Sequence, residues 1–275
     1  NINANYVINS TGPWVDELRE ANHSKKGKML HLTKGIHLVF PHEKLPVRQS
    51  VYFDIPDGRM MFAIPRGKVT YIGTTDTNYS GDKDNVGIDL ADAMYLISAV
   101  NNMFPSINLQ LEDIISSWAG LRPLINEEGK SPSELSRKDE IFVSDSGLVS
   151  IAGGKLTGYR KMAERTVDLI AKRMEDDYET ETKSCTTDKI PLCGNAFKKD
   201  KHVKSYISEV YEQLKLDDFV PYDAWYLVTT YGKQTETILE TYKTLKDKDK
   251  YIRLVKAELH FGIDYEMIQN PIDFF

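Results

Sequence analysis

Three places in this chain hold residue types whose spacing could do chemistry. One is IAGGKLTGYRKMAERTVDLIAKRM, residues 151–174, which reads as the end of a buried strand, a turn at Gly153 and Gly154, a lone cation at Lys155, and a helix. Two glycines let a ligand approach the backbone closely, because no Cβ stands in the way. A helix start offers unpaired N–H groups and a positive dipole end, which suit an anion or an electron-rich ring edge. The second place is the pair Arg122 and Arg137, flanking a loop rich in Glu, Ser and Lys. Two guanidinium forks can grip a phosphate. The third is VINSTGPW, where Gly12 and Pro13 end a short apolar run ahead of a helix. A turn of that kind brings the carboxyl end of a parallel strand to a ligand crevice in doubly wound sheets. Each pattern has a plainer alternative: an ordinary strand–turn–helix connection with a solvated lysine, or two surface arginines. His37 stands alone on a strand, a position that is more often structural than catalytic.

The elements that must position these residues follow from periodicity. Pro13 at a first helical position, with Val15 and Leu18 behind it, predicts strand, tight turn and helix. Residues 20–35 are polar and basic and are expected to cross between domains. From 36 to 76 the period becomes two, in IHLVF, SVYFDI, RMMFAIP and KVTYIGTTD, with turns at Asp57-Gly58 and Arg66-Gly67; this predicts an antiparallel meander with one face available for a ligand. DLADAMYLISAVNNM (89–103) carries a helical stripe that should cover the other face. IISSWAGLRPL (114–124) predicts a further strand, and IFVS with LVSIA a hairpin leading into Gly153. Thr157 is placed to cap the helix that follows, whose stripe is Met162, Ala163, Val167, Ile170 and Ala171. From about 176 a polar linker leads into helical patterns: Val203, Tyr206, Ile207, Val210 and Leu214 on one face, AWYLVTTYG ending at Gly232, then TETILETYKTL and YIRLVKAELHFGI. The predicted class is α+β or α/β. Residues 1–180 form one part, with 1–20 and 145–178 on the cofactor side and 25–144 as the antiparallel sheet, and residues 181–275 form an all-helical domain.

Composition bounds the function. The chain has 275 residues, 41% hydrophobic and 28% charged, and a net charge of −6, which gives no nucleic-acid footprint. No apolar run is long enough to span a bilayer. Cys185 and Cys193 lack a second ligand pair, so no metal site is expected; two isolated thiols are the simplest reading, with a disulfide the alternative. The chain starts without Met in a segment patterned like mid-domain and ends on PIDFF, and is read as a fragment.

VINSTGPWVDEL, LTKGIHLVFP, FAIPRGKVTYIGTTD, WAGLRPL, PSELSR, IAGGKLTGYRKMAE and AELHFGIDYEMIQNPIDFF, in that order, resemble the flavin-dependent glycerol-3-phosphate dehydrogenases over essentially the whole chain. The resemblance implies an FAD-binding Rossmann crossover, an antiparallel substrate domain and a helical C-terminal domain. It implies oxidation of sn-glycerol 3-phosphate to dihydroxyacetone phosphate, with electrons passing through FAD to a quinone. By the same resemblance, Arg122 and Arg137 are the phosphate clamp. Lys155 lies between flavin and substrate, and His37 is the proton acceptor near the substrate hydroxyls. Gly12, Gly154, Leu156 and Thr157 are flavin contacts, while Thr74, Thr75 and Asp76 shape a strand end. The family's Gly-rich pyrophosphate turn has no counterpart here, so weak FAD binding or none, and no turnover, are expected of the chain alone. A cytoplasmic location is expected, with peripheral contact at the inner face of the membrane and a homodimer for the full-length protein. Three alternatives remain open: a glycerol-phosphate oxidase using oxygen, an amino-acid oxidase of the same fold, and a non-catalytic binding or assembly module. The oxidases that resemble this chain carry a long insertion after GLRPL, whereas only fourteen residues separate Arg122 from Arg137, which favours the dehydrogenase.

Overall fold

The computed structural model describes residues 2–73, 77–126, 138–190, 192 and 197–274. Arg137, Thr74, Thr75, Asp76 and Cys193 lie outside the described residues. The chain divides into two compact units, Asn1–Cys185 and Thr186–Phe275.

Among the described residues the first unit holds two sheets. The smaller has three strands in the order β1 (Ile8–Asn9), β9 (Val149–Gly153) and β8 (Asp139–Val143). β1 lies parallel to β9, with Ile8 opposite Val149, and β8 and β9 form the expected antiparallel hairpin. Both parallel strands run into glycine turns. After β1, Gly12–Trp14 make a 3-10 turn with Pro13 inside it, followed by α1 (Val15–Ala21). After β9, Gly153 and Gly154 lead through a second 3-10 turn, Leu156–Gly158, into α3 (Tyr159–Tyr178).

The larger sheet has six strands. β3 (Val51–Asp54), β4 (Met60–Arg66) and β5 (Val69–Gly73) form the meander. β5 then pairs with residues 37–41 of β2 (Met29–Pro41). β6 (Thr77–Asn78) continues that edge of β2, and β7 (Ser116–Asn126) runs antiparallel along its other edge from Met29 to Val39. β2 therefore starts at Met29, inside the stretch expected to be a crossing. Its thirteen residues serve as the central rail because alternate positions satisfy two different surfaces. Ile36, Leu38 and Phe40 point into a core with Ile72, Met61 and Phe53, covered by Ala93, Leu96, Ile97 and Val100 of α2 (Leu90–Met103). Asp89 caps α2 by accepting from the Asp92 N–H, and Lys34 of β2 bonds the Asp92 carboxylate at 2.5 Å. Thr33, Gly35 and His37 point to the opposite face.

Three sequence expectations about α3 fail, one of them in part. Thr157 caps nothing: the 3-10 turn intervenes, and Gly158, with no side-chain cap, sits at the N-cap. The expected stripe holds at Ile170, which is buried, and at the half-buried Met162 and Ala171, but not at its other two positions. Val167 is 58% exposed and Ala163 is exposed, whereas Thr166 is buried and bonds back to the Met162 carbonyl. Matching the hydroxyl within its own helix removes the penalty of burying it, so a polar residue takes the inward position. The helix also runs to Tyr178, into the span expected to be linker, and ends on Glu179 in the left-handed region at φ 53°.

In the second unit α4 (Asp200–Leu214), α5 (Pro221–Tyr231), α6 (Thr235–Thr244) and α7 (Lys250–Tyr265) bury Tyr206, Val210, Leu214, Leu227, Ile238, Leu254 and Phe261 around one core. Gly232 closes α5 at φ 57°, the position expected for it.

Candidate functional site

The parallel pairing of β1 and β9 sets two glycine turns side by side. Gly12, Pro13, Gly153, Gly154, Lys155, Leu156, Tyr159 and Met162 line one groove of about 590 Å³, and Leu121–Leu124 of β7 close its other wall. Gly12, Gly153 and Gly154 have φ of 59°, 74° and 81°, a region that L side chains rarely enter. The two strand-end glycines differ in their surroundings. Above Gly12 there is open space; a Cβ at Gly154 would lie 2.7 Å from Met162 Sδ. Gly153 is required by packing as well as by backbone, because a Cβ there would lie 2.6 Å from the Lys138 carbonyl oxygen, whereas the Met162 side chain over Gly154 is flexible. Lys155 and Leu156 are exposed on the groove, Leu156 at 89%. Thr157 is exposed beside them in the 3-10 turn and does not line the groove.

A residue the sequence reading missed holds this arrangement. Asn9 is fully buried. Its amide nitrogen donates to the Val15 carbonyl at 2.9 Å and to Ser150 Oγ at 3.2 Å, and its Oδ1 accepts from Thr11 Oγ1 at 2.7 Å. One side chain thereby ties the Gly12 turn to β9. Its sequence signal was an Asn ending an apolar run directly before Ser-Thr-Gly-Pro. A second missed anchor is the buried pair Asp16–Arg19, at 2.7 Å. Asp16 also accepts from the Leu30 N–H, Arg19 donates to the Lys26 and Lys28 carbonyls, and Arg19 lies 4.2 Å over the Phe142 ring. Together they fasten α1 to the start of β2.

On the larger sheet, register decides which side chains meet. His37 sits directly opposite Trp118 of β7 and Gly73 of β5. Its ring stacks on the indole, with centroids 4.6 Å apart and planes 10° from parallel. The imidazole leans over Gly73, where a Cβ would lie 2.1 Å from Cδ2. Arg122, opposite Thr33, extends its guanidinium over Gly35, where a Cβ would lie 2.5 Å from one terminal nitrogen. Glycine at 35 and 73 is therefore the space the two functional groups occupy. Burial first, and then the positive charge of Arg122, push the His37 pKa below its ordinary 6.5, so the ring is neutral at pH 7. His37 Nδ1 is sealed from solvent and has no hydrogen-bond partner among the described residues.

Arg122 belongs to both places: its guanidinium shares a sheet face with His37, and the residue lines the groove with Lys155 and Gly154. The described candidates thus form one connected surface, with His37 and Arg122 on the sheet and Gly12, Gly154, Lys155 and Leu156 at the strand ends. The donor set fits a flat, electron-rich ring system. Glycine backbone can approach its edge, Leu121, Leu124 and Met162 supply apolar contact, and Lys155 brings a cation to one end. Among the described residues no group of His, Cys, Asp and Glu could hold a metal ion, and no helix is long and apolar enough to cross a membrane.

Comparison with known proteins agrees with this chemistry. The chain is 47% identical over 275 residues to an aerobic glycerol-3-phosphate dehydrogenase of Bacillus subtilis and 45% identical to one of Staphylococcus haemolyticus; the alignments take in 99% of this chain and 50% and 49% of theirs. It spans about half the length of the curated relatives it matches. The crystal structure of a glycerol-3-phosphate dehydrogenase from Bacillus halodurans complexed with FAD superposes with a TM-score of 0.85 at 43% identity, over 100% of this chain and 53% of that one. Residues 185–275 match the C-terminal domain of alpha-glycerophosphate oxidase. The family model for FAD dependent oxidoreductases matches residues 1–160, more than half of the chain, and the chain belongs to that family.

Proposed function

We propose that this chain supplies the substrate-binding face and one wall of the flavin site of an enzyme that oxidises sn-glycerol 3-phosphate to dihydroxyacetone phosphate, with a quinone as final electron acceptor. The observation that carries this reading is the placement of Arg122, whose guanidinium shares a sheet face with a neutral, half-buried imidazole and borders the glycine-lined groove. FAD, when bound, supplies the two-electron acceptor for the hydride that leaves C2 of the substrate.

The chain's own residues do the rest. Gly12, Gly154 and Leu156, with Thr157 beside them, hold the ring through backbone approach and apolar contact. Arg122 binds the phosphate through its planar fork, and Arg137 completes the clamp. His37 takes the C2 hydroxyl proton; with Nδ1 sealed, Nε2 is the nitrogen left to accept it. Lys155 offsets negative charge that develops between substrate and ring during transfer. The reaction balances: one hydride leaves C2, one proton leaves its oxygen, and a ketone remains.

The reading is tested by titrating the chain with FAD and sn-glycerol 3-phosphate, and by assaying turnover of the whole enzyme to which it contributes this face for quinone-dye reduction against peroxide. Dye reduction without peroxide is the expected outcome. The match of residues 185–275 to an oxidase domain supports oxygen as the second reading, and strong peroxide formation would establish it. Full-length relatives named dehydrogenases favour the first.

A further inference from the structure

The register of β2 against β7 contains a second feature of the same face. Three consecutive same-face pairs run along it: His37 with Trp118, Gly35 with Gly120, and Thr33 with Arg122. Both positions of the middle pair are glycine. Gly35 is accounted for, because the Arg122 guanidinium lies over it. Gly120 is not. It is exposed, its φ lies outside the left-handed region, and a Cβ there would meet nothing within 4 Å. Neither backbone geometry nor packing against any described residue calls for glycine at this position.

Glycine in a strand interior costs stability relative to alanine, through chain entropy and lost side-chain packing. A glycine with room for a methyl group, flanked on one side by an imidazole and on the other by a guanidinium, leaves open the volume between them. Same-face residues along a strand repeat about every 6.6–6.8 Å, so the His37–Trp118 and Thr33–Arg122 rows stand about 13 Å apart, and the Arg122 guanidinium, reaching back over Gly35, narrows that interval to the room of a short carbon chain.

The geometry points to Gly120 as a specificity-determining residue. The empty volume above it takes the carbon chain of a small phosphorylated polyol, with the phosphate toward Arg122 and a hydroxyl toward His37. This rests on the reading of the site as one for glycerol 3-phosphate and adds the position that sets the ligand's size. A side chain at 120 would fill the slot without touching either polar group's support.

The test is Gly120→Ala in the whole FAD-loaded enzyme to which this chain contributes its face, with affinities for sn-glycerol 3-phosphate and for inorganic phosphate measured by calorimetry and the melting temperature recorded alongside. Affinity for glycerol 3-phosphate should fall tenfold or more. Affinity for inorganic phosphate, which needs Arg122 but not the slot, should change less than twofold. The melting temperature should hold or rise, which a purely structural glycine would not allow. Gly120→Val should deepen the ligand loss. Equal glycerol 3-phosphate affinity in wild type and Gly120→Ala overturns the inference and leaves the functional reading standing. Parallel losses for both ligands, or a lower melting temperature, also overturn it. Wild-type protein that binds inorganic phosphate but not glycerol 3-phosphate overturns the functional reading, and the inference with it.

Discussion

Arg122 and His37 are the residues through which the site can be interrogated most directly. The guanidinium is a planar fork, and lysine retains its charge while losing the paired N–H geometry. Arg122→Lys is expected to weaken sn-glycerol 3-phosphate binding about 10–100-fold, the range for one or two charge-assisted hydrogen bonds. Calorimetry checks this, and an equal loss for a zwitterionic amino acid would count against a phosphate site. For His37 the sign runs through burial and the neighbouring cation, which both disfavour the protonated ring. Between the lowered folded value and 6.5, the unfolded chain holds a proton that the folded chain does not. His37 therefore contributes a stability that is complete above 6.5 and is lost as pH falls below it. Ring-proton NMR should place the His37 midpoint below 6.5, and Arg122→Ala should move it upward. A midpoint at or above 6.5 in the wild type would mean that the ring is neither buried nor near the cation.

At the level of elements, the groove depends on two strand ends being level with each other. β1 has only two residues in its ladder, too few to hold its register through backbone bonds alone. Asn9 makes up the deficit by bridging Val15, Thr11 and Ser150 from a fully buried position. Asn9→Ala leaves the Val15 carbonyl and the Thr11 and Ser150 hydroxyls short of partners and should cost about 2–3 kcal/mol by denaturant titration. FAD affinity should fall with it, since Gly12 loses its tie to the Gly153 turn. Unchanged stability would show that the turn is held by other contacts.

For the molecule as a whole, the two units carry separate cores, so the helical one should stand alone. Residues 186–275 expressed by themselves are expected to give a helical circular-dichroism spectrum and one cooperative melt; an unfolded spectrum would refute this. Within that unit Glu258 is buried on α7, and Tyr231 donates its phenol to the carboxylate at 3.0 Å. Burial pushes the Glu258 carboxyl above its ordinary 4.5, and the phenols of Tyr231 and Tyr226 offset part of that. The folded unit then holds a proton that the unfolded chain releases, so stability is greatest below 4.5 and declines as pH rises through the folded value. Glu258→Gln should flatten that decline in melts taken from pH 4.5 to 7.5, and an unaltered slope would assign it to another group.

Much was legible before folding. Period-two segments from 36 to 76, the helix at 90–103 and the glycine turns at 12 and 153 are local features, and local sterics and hydrophobic alternation write them directly into the chain. The amphipathic stripe of α3 was read correctly at Ile170 and misread at Ala163 and Val167, because an inward position went to Thr166, whose hydroxyl is satisfied within its own turn, while Val167 faces out. Asn9 was passed over because its partners on β9 are 141 positions away. What the residues alone determined is the stock of groups: a glycine pair with a lysine, an arginine within GLRPL, a histidine on a strand. What tertiary structure decided is their company. That His37 stacks on Trp118, that Arg122 lies over Gly35, and that Gly120 leaves a gap between them all depend on the register of strands about 80 residues apart. Strand register is set when whole hydrophobic faces are buried together, and a shift of one residue would have turned every one of these side chains to the other side of the sheet.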